Sequence, residues 1–196
     1  MNKLKKDALL ILNFKEAPPG SLPAEIRERP MMGQQAYIAS RLALKKALQE
    51  LGISAEDWED LEIENHLFLR KYPEILVSLS HTRNFGAAYI ALSSCFRSIG
   101  VDLELKTRKM KESTLKFFVN TDDEYSDSLK LWTQKEAAFK AISPIYQEKE
   151  LTLKMITIKG EEFFLKNDPS LKGTVSVENR FCDNEEFWIA KAVLPR

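Results

Sequence analysis

Ser98-Ile99-Gly100-Val101-Asp102-Leu103-Glu104 is the stretch on which the fold turns. From Gly100 onward its polarity alternates with period two, the pattern of a half-buried strand rather than a helix. In extended geometry Val101 and Leu103 point to one face, into a core, and Asp102 and Glu104 to the other. Neighbours on one strand face lie about 6–7 Å apart at Cα. Two carboxylates at that spacing repel unless a cation sits between them. The stretch reads either as a solvated strand edge carrying two acids or as a site for a hard cation. Mg²⁺ suits the second reading, because it takes one or two protein carboxylates plus phosphate oxygens and water.

Outward from this strand, Ile75 to Leu79 and Ala87 to Leu92 read as two more, and Ala8 to Leu12 as a buried first strand. That first run is preceded by basic residues, as in a signal peptide. It is too short, however, Asp7 interrupts its approach, and no small-residue cleavage site precedes Lys15-Glu16. A Pro- and Gly-rich connection, Ala17-Pro18-Pro19-Gly20, follows. From Gln34 to Glu50 apolar residues recur at helical spacing, with Gly52 as a stop. Met110 to Phe118 and Asp122 to Ile142 also read as helices. Strand-like pieces follow at Leu151 to Ile158, Glu162 to Leu165, Thr174 to Val177 and Phe187 to Val193. Strands and helices do not alternate regularly, so the class is α+β, and each half has strands and one long helix.

The chain has 196 residues, with 29 Lys plus Arg against 29 Asp plus Glu. Zero formal charge argues against a dominant nucleic-acid or membrane-surface role. No stretch reaches transmembrane length. Cys95 and Cys182, the only cysteines, have no metal-ligand spacing, which fits a reducing cytoplasmic compartment.

Leu131 to Ile142 places Leu131, Trp132, Ala138, Phe139 and Ile142 on one helical stripe, with Lys135 near its centre. An ammonium there needs a partner or a route to water. Glu136 and Lys140, at i and i+4, share a face. They fit an ordinary salt bridge beside a snorkelling lysine, or a metal-bridged anion site that also uses Lys135. Val77-Ser78-Leu79-Ser80-His81-Thr82 ends a strand on a histidine beside hydroxyls, which fits a turn-stabilising residue or a ligand contact.

Ser80-His81-Thr82, Gly100-Val101-Asp102-Leu103-Glu104 and Trp132-Thr133-Gln134-Lys135-Glu136-Ala137-Ala138-Phe139-Lys140, in this order and spacing, resemble the motifs of the 4′-phosphopantetheinyl transferase superfamily. The closest likeness is to its larger, surfactin-synthetase-type (Sfp-like) branch. Phe118 and Glu124 are similar to a weaker family element. The resemblance implies two similar α+β halves related by a pseudo-twofold, residues 1–97 and 98–196, with coenzyme A in the cleft between them and a monomeric chain. It implies that Asp102, Glu104 and Glu136 hold Mg²⁺, and that Glu136 is the general base for a serine of an apo acyl or peptidyl carrier protein. Lys140 would serve the leaving 3′,5′-ADP phosphate, and Lys135 would contact phosphate oxygens. Ser80, His81 and, from the first long helix, Arg41 would bind the 3′-phosphoadenosine end. Two departures stand out. Arg70-Lys71-Tyr72-Pro73 takes the place of a Gly-Lys-Pro stretch, and Ala141-Ile142-Ser143-Pro144 takes that of a Gly-x-Gly-Leu turn. The rival readings are another Mg²⁺-dependent phosphotransferase and a non-catalytic carrier-binding relative.

Overall fold

The computed structural model describes residues 7–13, 23–146 and 150–196. The basic stretch 1–6 and the Ala17-Pro18-Pro19-Gly20 connection lie outside the described residues. The first half runs β1 (Asp7–Asn13), α1 (Ala24–Arg27), α2 (Met31–Glu50), β2 (Ile63–Glu64), β3 (Phe68–Leu69), β4 (Tyr72–Thr82) and β5 (Phe85–Leu92). The second runs β6 (Phe96–Leu105), α3 (Glu112–Phe118), α4 (Ser128–Ile142), β7 (Ile156–Lys159), β8 (Glu162–Leu165), β9 (Asp168–Cys182) and β10 (Glu185–Pro195).

The strands form two five-stranded antiparallel sheets, ordered β1-β5-β4-β3-β2 and β6-β10-β9-β8-β7. The class is α+β, as the mixed strand and helix pattern implies. Counted within its own half, each sheet has the order first, fifth, fourth, third, second. In each half the long helix lies between the first and second strands. One topology is thus used twice, with the sheets dividing at the β5–β6 turn.

Small residues set the distance between helix and sheet. On α2 the buried face includes Ala36, Ala39, Ser40, Ala43 and Ala47, and on α4 it includes Ala137, Ala138 and Ala141. A Cβ on Gly86 of β5 would lie 2.2 Å from the Ala39 carbonyl carbon, and one on Gly100 of β6 only 1.9 Å from the Ala137 oxygen. Both glycines are therefore required for the close approach. α2 closes one apolar cluster with Leu44, Leu48, Val77 and Ile90, and α4 another with Ile156, Phe163 and Leu194. A third cluster, including Leu76, Tyr89, Ile99, Val101, Leu103 and Ile189, joins the two sheets. This puts Val101 and Leu103 in the core and turns Asp102 and Glu104 toward α4.

Several boundaries differ from the sequence reading. α4 begins at Ser128 rather than Asp122, because Asp127 caps it by accepting from the Leu129 N–H at 2.8 Å and the Lys130 N–H at 3.1 Å. Asn120, Asp122 and Asp123 are occupied instead in a side-chain-bonded turn. Leu153–Met155 is a 3-10 turn and the strand starts at Ile156. β9 is much longer than Thr174 to Val177, since its exposed half-pattern carries little apolar signal. Gly52 does end α2, with φ of 78°. No helix among the described residues is long and apolar enough to cross a membrane.

Candidate functional site

β6 is an edge strand of its sheet, and the backbone groups of Val101 on it are satisfied from outside the sheet. The Val101 N–H donates to Ser78 Oγ on β4 at 2.9 Å, and Lys140 Nζ on α4 donates to the Val101 carbonyl at 3.0 Å. These bonds dock the end of β4, from the first half, against the acidic strand of the second. Ser80 Oγ donates to Asp102 Oδ1 at 2.8 Å, and Lys140 Nζ reaches the same oxygen at 2.8 Å. The Asp102 side chain is buried, and its Oδ2 has no hydrogen-bond partner.

Glu104, two residues on, accepts at Oε1 from Trp132 Nε1 at 3.1 Å and forms an ion pair with Arg108 through the same oxygen. Burial, then the Asp102 charge, pushes its carboxyl up to about 7, against the pull of Arg108 and Trp132. Glu136, on the neighbouring turn of α4, is also raised, first by burial and then by Asp102, while Lys140 and Arg108 pull the other way. Three carboxylates therefore sense one another across β6 and α4. Lys140 makes its ion pair with Asp102 across the β6–α4 contact, so the simple i,i+4 helix bridge gives way to a tertiary one.

Beside this cluster lies an open cleft of about 1150 Å³, walled by α2, the end of β4 and the C-terminal end of α4. Its cationic and imidazole groups come from Arg29, Arg41, His66, His81, Arg83 and Lys140, and no carboxylate is among the described residues lining it. Arg41 lies over the Tyr37 ring at 4.8 Å, and Arg29 approaches the same ring at 6.0 Å. The Arg41 Nε is buried without a partner, and burial lowers its pKa from the ordinary value. Desolvation, then the Lys140 charge, holds His81 below the usual imidazole value. Lys140 belongs to both regions and joins the anion-attracting cleft to the carboxylates.

The structure brings together Asp102, Glu104, Glu136, Lys140, Ser80, His81 and Arg41. Ser80 faces Asp102, however, rather than the open cleft. Lys135 is the clear exception. Its side chain is fully enclosed on the other side of α4, where Nζ meets Asp123 Oδ2 at 2.6 Å and the Phe118 and Ile156 carbonyls at 2.6 and 2.7 Å. The expectation that Lys135 contacts phosphate oxygens is corrected: buried acceptors take up its ammonium, which ties the 119–127 segment and β7 to α4. Phe118 is likewise structural, edge-on to Trp132 at 5.1 Å, and Glu124 is exposed. Arg70 and Lys71 are paired with Glu62 and Asp60 and do not line the cleft.

Sequence reasoning missed Arg29, Tyr37, His66, Ser78 and Arg83 as site residues. Tyr37, Ser78 and Arg83 were signalled only by closeness to Arg41 or to the Ser80-His81 motif, and Arg29 and His66 by nothing local. His66 reaches the cleft because Asn65 and His66 adopt φ of 53° and 55° in the β2–β3 turn, a geometry with no distinctive sequence mark here. Among the described residues no group of three or more His, Cys, Asp or Glu is placed to hold a metal ion. No protein-family model matches the chain, and no curated protein matches it.

Proposed function

We propose that this chain is a Mg²⁺-dependent 4′-phosphopantetheinyl transferase of the Sfp-like type. It would move the phosphopantetheine arm of coenzyme A onto a serine of an apo acyl or peptidyl carrier protein. The observation that carries the reading is Lys140, which binds Asp102 in one half and lines a cleft whose other cations come from the opposite half. A cationic cleft continuous with clustered carboxylates suits a polyphosphate ligand whose reacting end needs a cation. The repeated strand order supports the two-halved architecture that the motif resemblance implies.

The acids suit Mg²⁺ in their chemistry, although no three of the described His, Cys, Asp or Glu groups converge to hold an ion by themselves. Asp102 Oδ2 is buried with no partner, and Glu104 and Glu136 are raised first by burial and then by the Asp102 charge, a repulsion that a cation there would relieve. Three converging protein ligands are not required, since Mg²⁺ commonly shares one or two carboxylates with substrate phosphate and water. Asp102, Glu104 and Glu136 would hold it, and when bound it would offset pyrophosphate charge. Glu136 would accept the proton of the carrier serine, directly or through water. The serine oxygen forms a bond to the β-phosphorus, the anhydride P–O bond breaks, and 3′,5′-ADP leaves. Lys140 donates to the departing phosphate oxygen. Arg41, Arg29 and His81 orient the 3′-phosphoadenosine end in the cleft.

The test is direct. Protein, Mg²⁺, coenzyme A and a panel of apo carriers are mixed and the carriers weighed by mass spectrometry. A phosphopantetheine mass increment is expected on at least one. No increment on any carrier, despite measurable coenzyme A binding, would favour the non-catalytic relative.

A further inference from the structure

Three carboxylates face two resident cations at this site, and the two are held very differently. Lys140 is anchored by the Val101 carbonyl as well as by Asp102, on a helix packed over Gly100. Arg108 follows the end of β6, with its backbone N–H turned back to the Leu105 carbonyl at 2.9 Å. Its side chain is 42% exposed, whereas that of Glu104 is 10% exposed. The guanidinium meets Glu104 Oε1 and lies 5.3 Å over the Trp132 ring. Trp132 Nε1 donates to that same carboxylate oxygen. An arginine on an exposed connection can swing into water at little cost, whereas the lysine is held by two acceptors, a backbone carbonyl and a buried carboxylate.

We propose that Arg108 is an exchangeable placeholder cation: it neutralises Glu104 when no divalent ion is bound and is displaced from that carboxylate when one enters. The inference rests on the reading of Asp102, Glu104 and Glu136 as a divalent-cation site. Arg108 here is a positioning residue acting through Glu104. It lowers the free protein's affinity for the ion while keeping the buried acid compensated. Trp132 reports the exchange, because it touches both the acid and the guanidinium.

The experiment measures Mn²⁺ binding by EPR and the Mg²⁺-induced change in tryptophan emission for wild type, Arg108→Met and Lys109→Met. Lys109 is exposed in the same segment and serves as a control for general charge. Folding of each variant is checked by circular dichroism. Arg108→Met is expected to bind Mn²⁺ about five-fold more tightly, the order expected for one charge-assisted contact. It should also lose most of the emission change, whereas Lys109→Met stays near wild type. Unchanged or weaker binding by Arg108→Met, with wild type binding normally, overturns the placeholder role and leaves the cation site standing. Equal tightening in Lys109→Met overturns it too, since bulk electrostatics then suffices. Absence of Mn²⁺ binding in all three proteins overturns the cation site and this inference with it.

Discussion

Replacing Lys135 by methionine separates a structural lysine from a substrate-binding one. The methionine fills the stem's volume but removes the ammonium, so the fully enclosed Asp123 carboxylate loses its counter-ion. Asp123 keeps only backbone donors, Asn120 N–H at 2.8 Å on Oδ2 and Ile158 N–H at 3.0 Å on Oδ1. The Phe118 carbonyl loses its lysine donor, whereas that of Ile156 retains Asn120 Nδ2 at 2.9 Å. Breaking one side of a buried pair costs about 3–5 kcal/mol. That is a large share of the ~5–15 kcal/mol by which domains are stable. For a chain of this size it corresponds to a fall of about 6–20 °C in Tm. Removing both charges in Lys135→Met/Asp123→Asn should recover at least ~1 kcal/mol of the sum of the single effects. The assay is urea and thermal unfolding of the four proteins of the cycle, with coenzyme A binding measured well below each Tm. Coenzyme A affinity should stay within about two-fold of wild type, since no part of Lys135 reaches the cleft. A stable Lys135→Met protein that binds coenzyme A ten-fold more weakly would refute this reasoning.

Gly100→Ala should destabilise the chain by about 1–3 kcal/mol or more and depress transfer with it, because backbone rather than a flexible side chain stands 1.9 Å from the new Cβ; chemical denaturation checks this. Asp102→Ala or Glu136→Ala should cut carrier modification by about 100-fold or more, while His81→Ala should mainly weaken coenzyme A binding, by about ten-fold; a rate assay with a calorimetric titration distinguishes the two patterns. Folded Glu104 holds its proton up to about 7, above an unfolded glutamate near ~4.3. Its contribution to stability is thus present below the unfolded value and lost as pH rises through about 7. In chelator, the urea midpoint of wild type should fall between about pH 4 and 7 more steeply than that of Glu104→Gln, and equal slopes would count against the raised carboxyl.

Period-two and helical patterns around β4, β5, β6, α2 and α4 were legible because those elements bury continuous apolar faces. The start of α4 was not, because a run of acidic residues looks like a helix's first turn. Only the bonds made by Asn120, Asp123 and Asp127 reveal that the helix starts at Ser128. The short strands β2 and β3 were also hidden, since two-residue pieces carry no period.

Along the chain, residue order alone determined the α+β class, the shared face of Asp102 and Glu104, and the shared face of Glu136 and Lys140. Each of these follows from the local geometry of one strand or one helix. The direction of each cation was decided by tertiary structure. Lys135 and Lys140 stand five residues apart on α4, yet one is sealed against Asp123 and the other bridges Asp102 and the cleft. Which of them meets a ligand depends on what packs against each side of the helix. Those neighbours, β6 on one side and the 119–127 segment with β7 on the other, arrive from positions that no local pattern on the helix encodes.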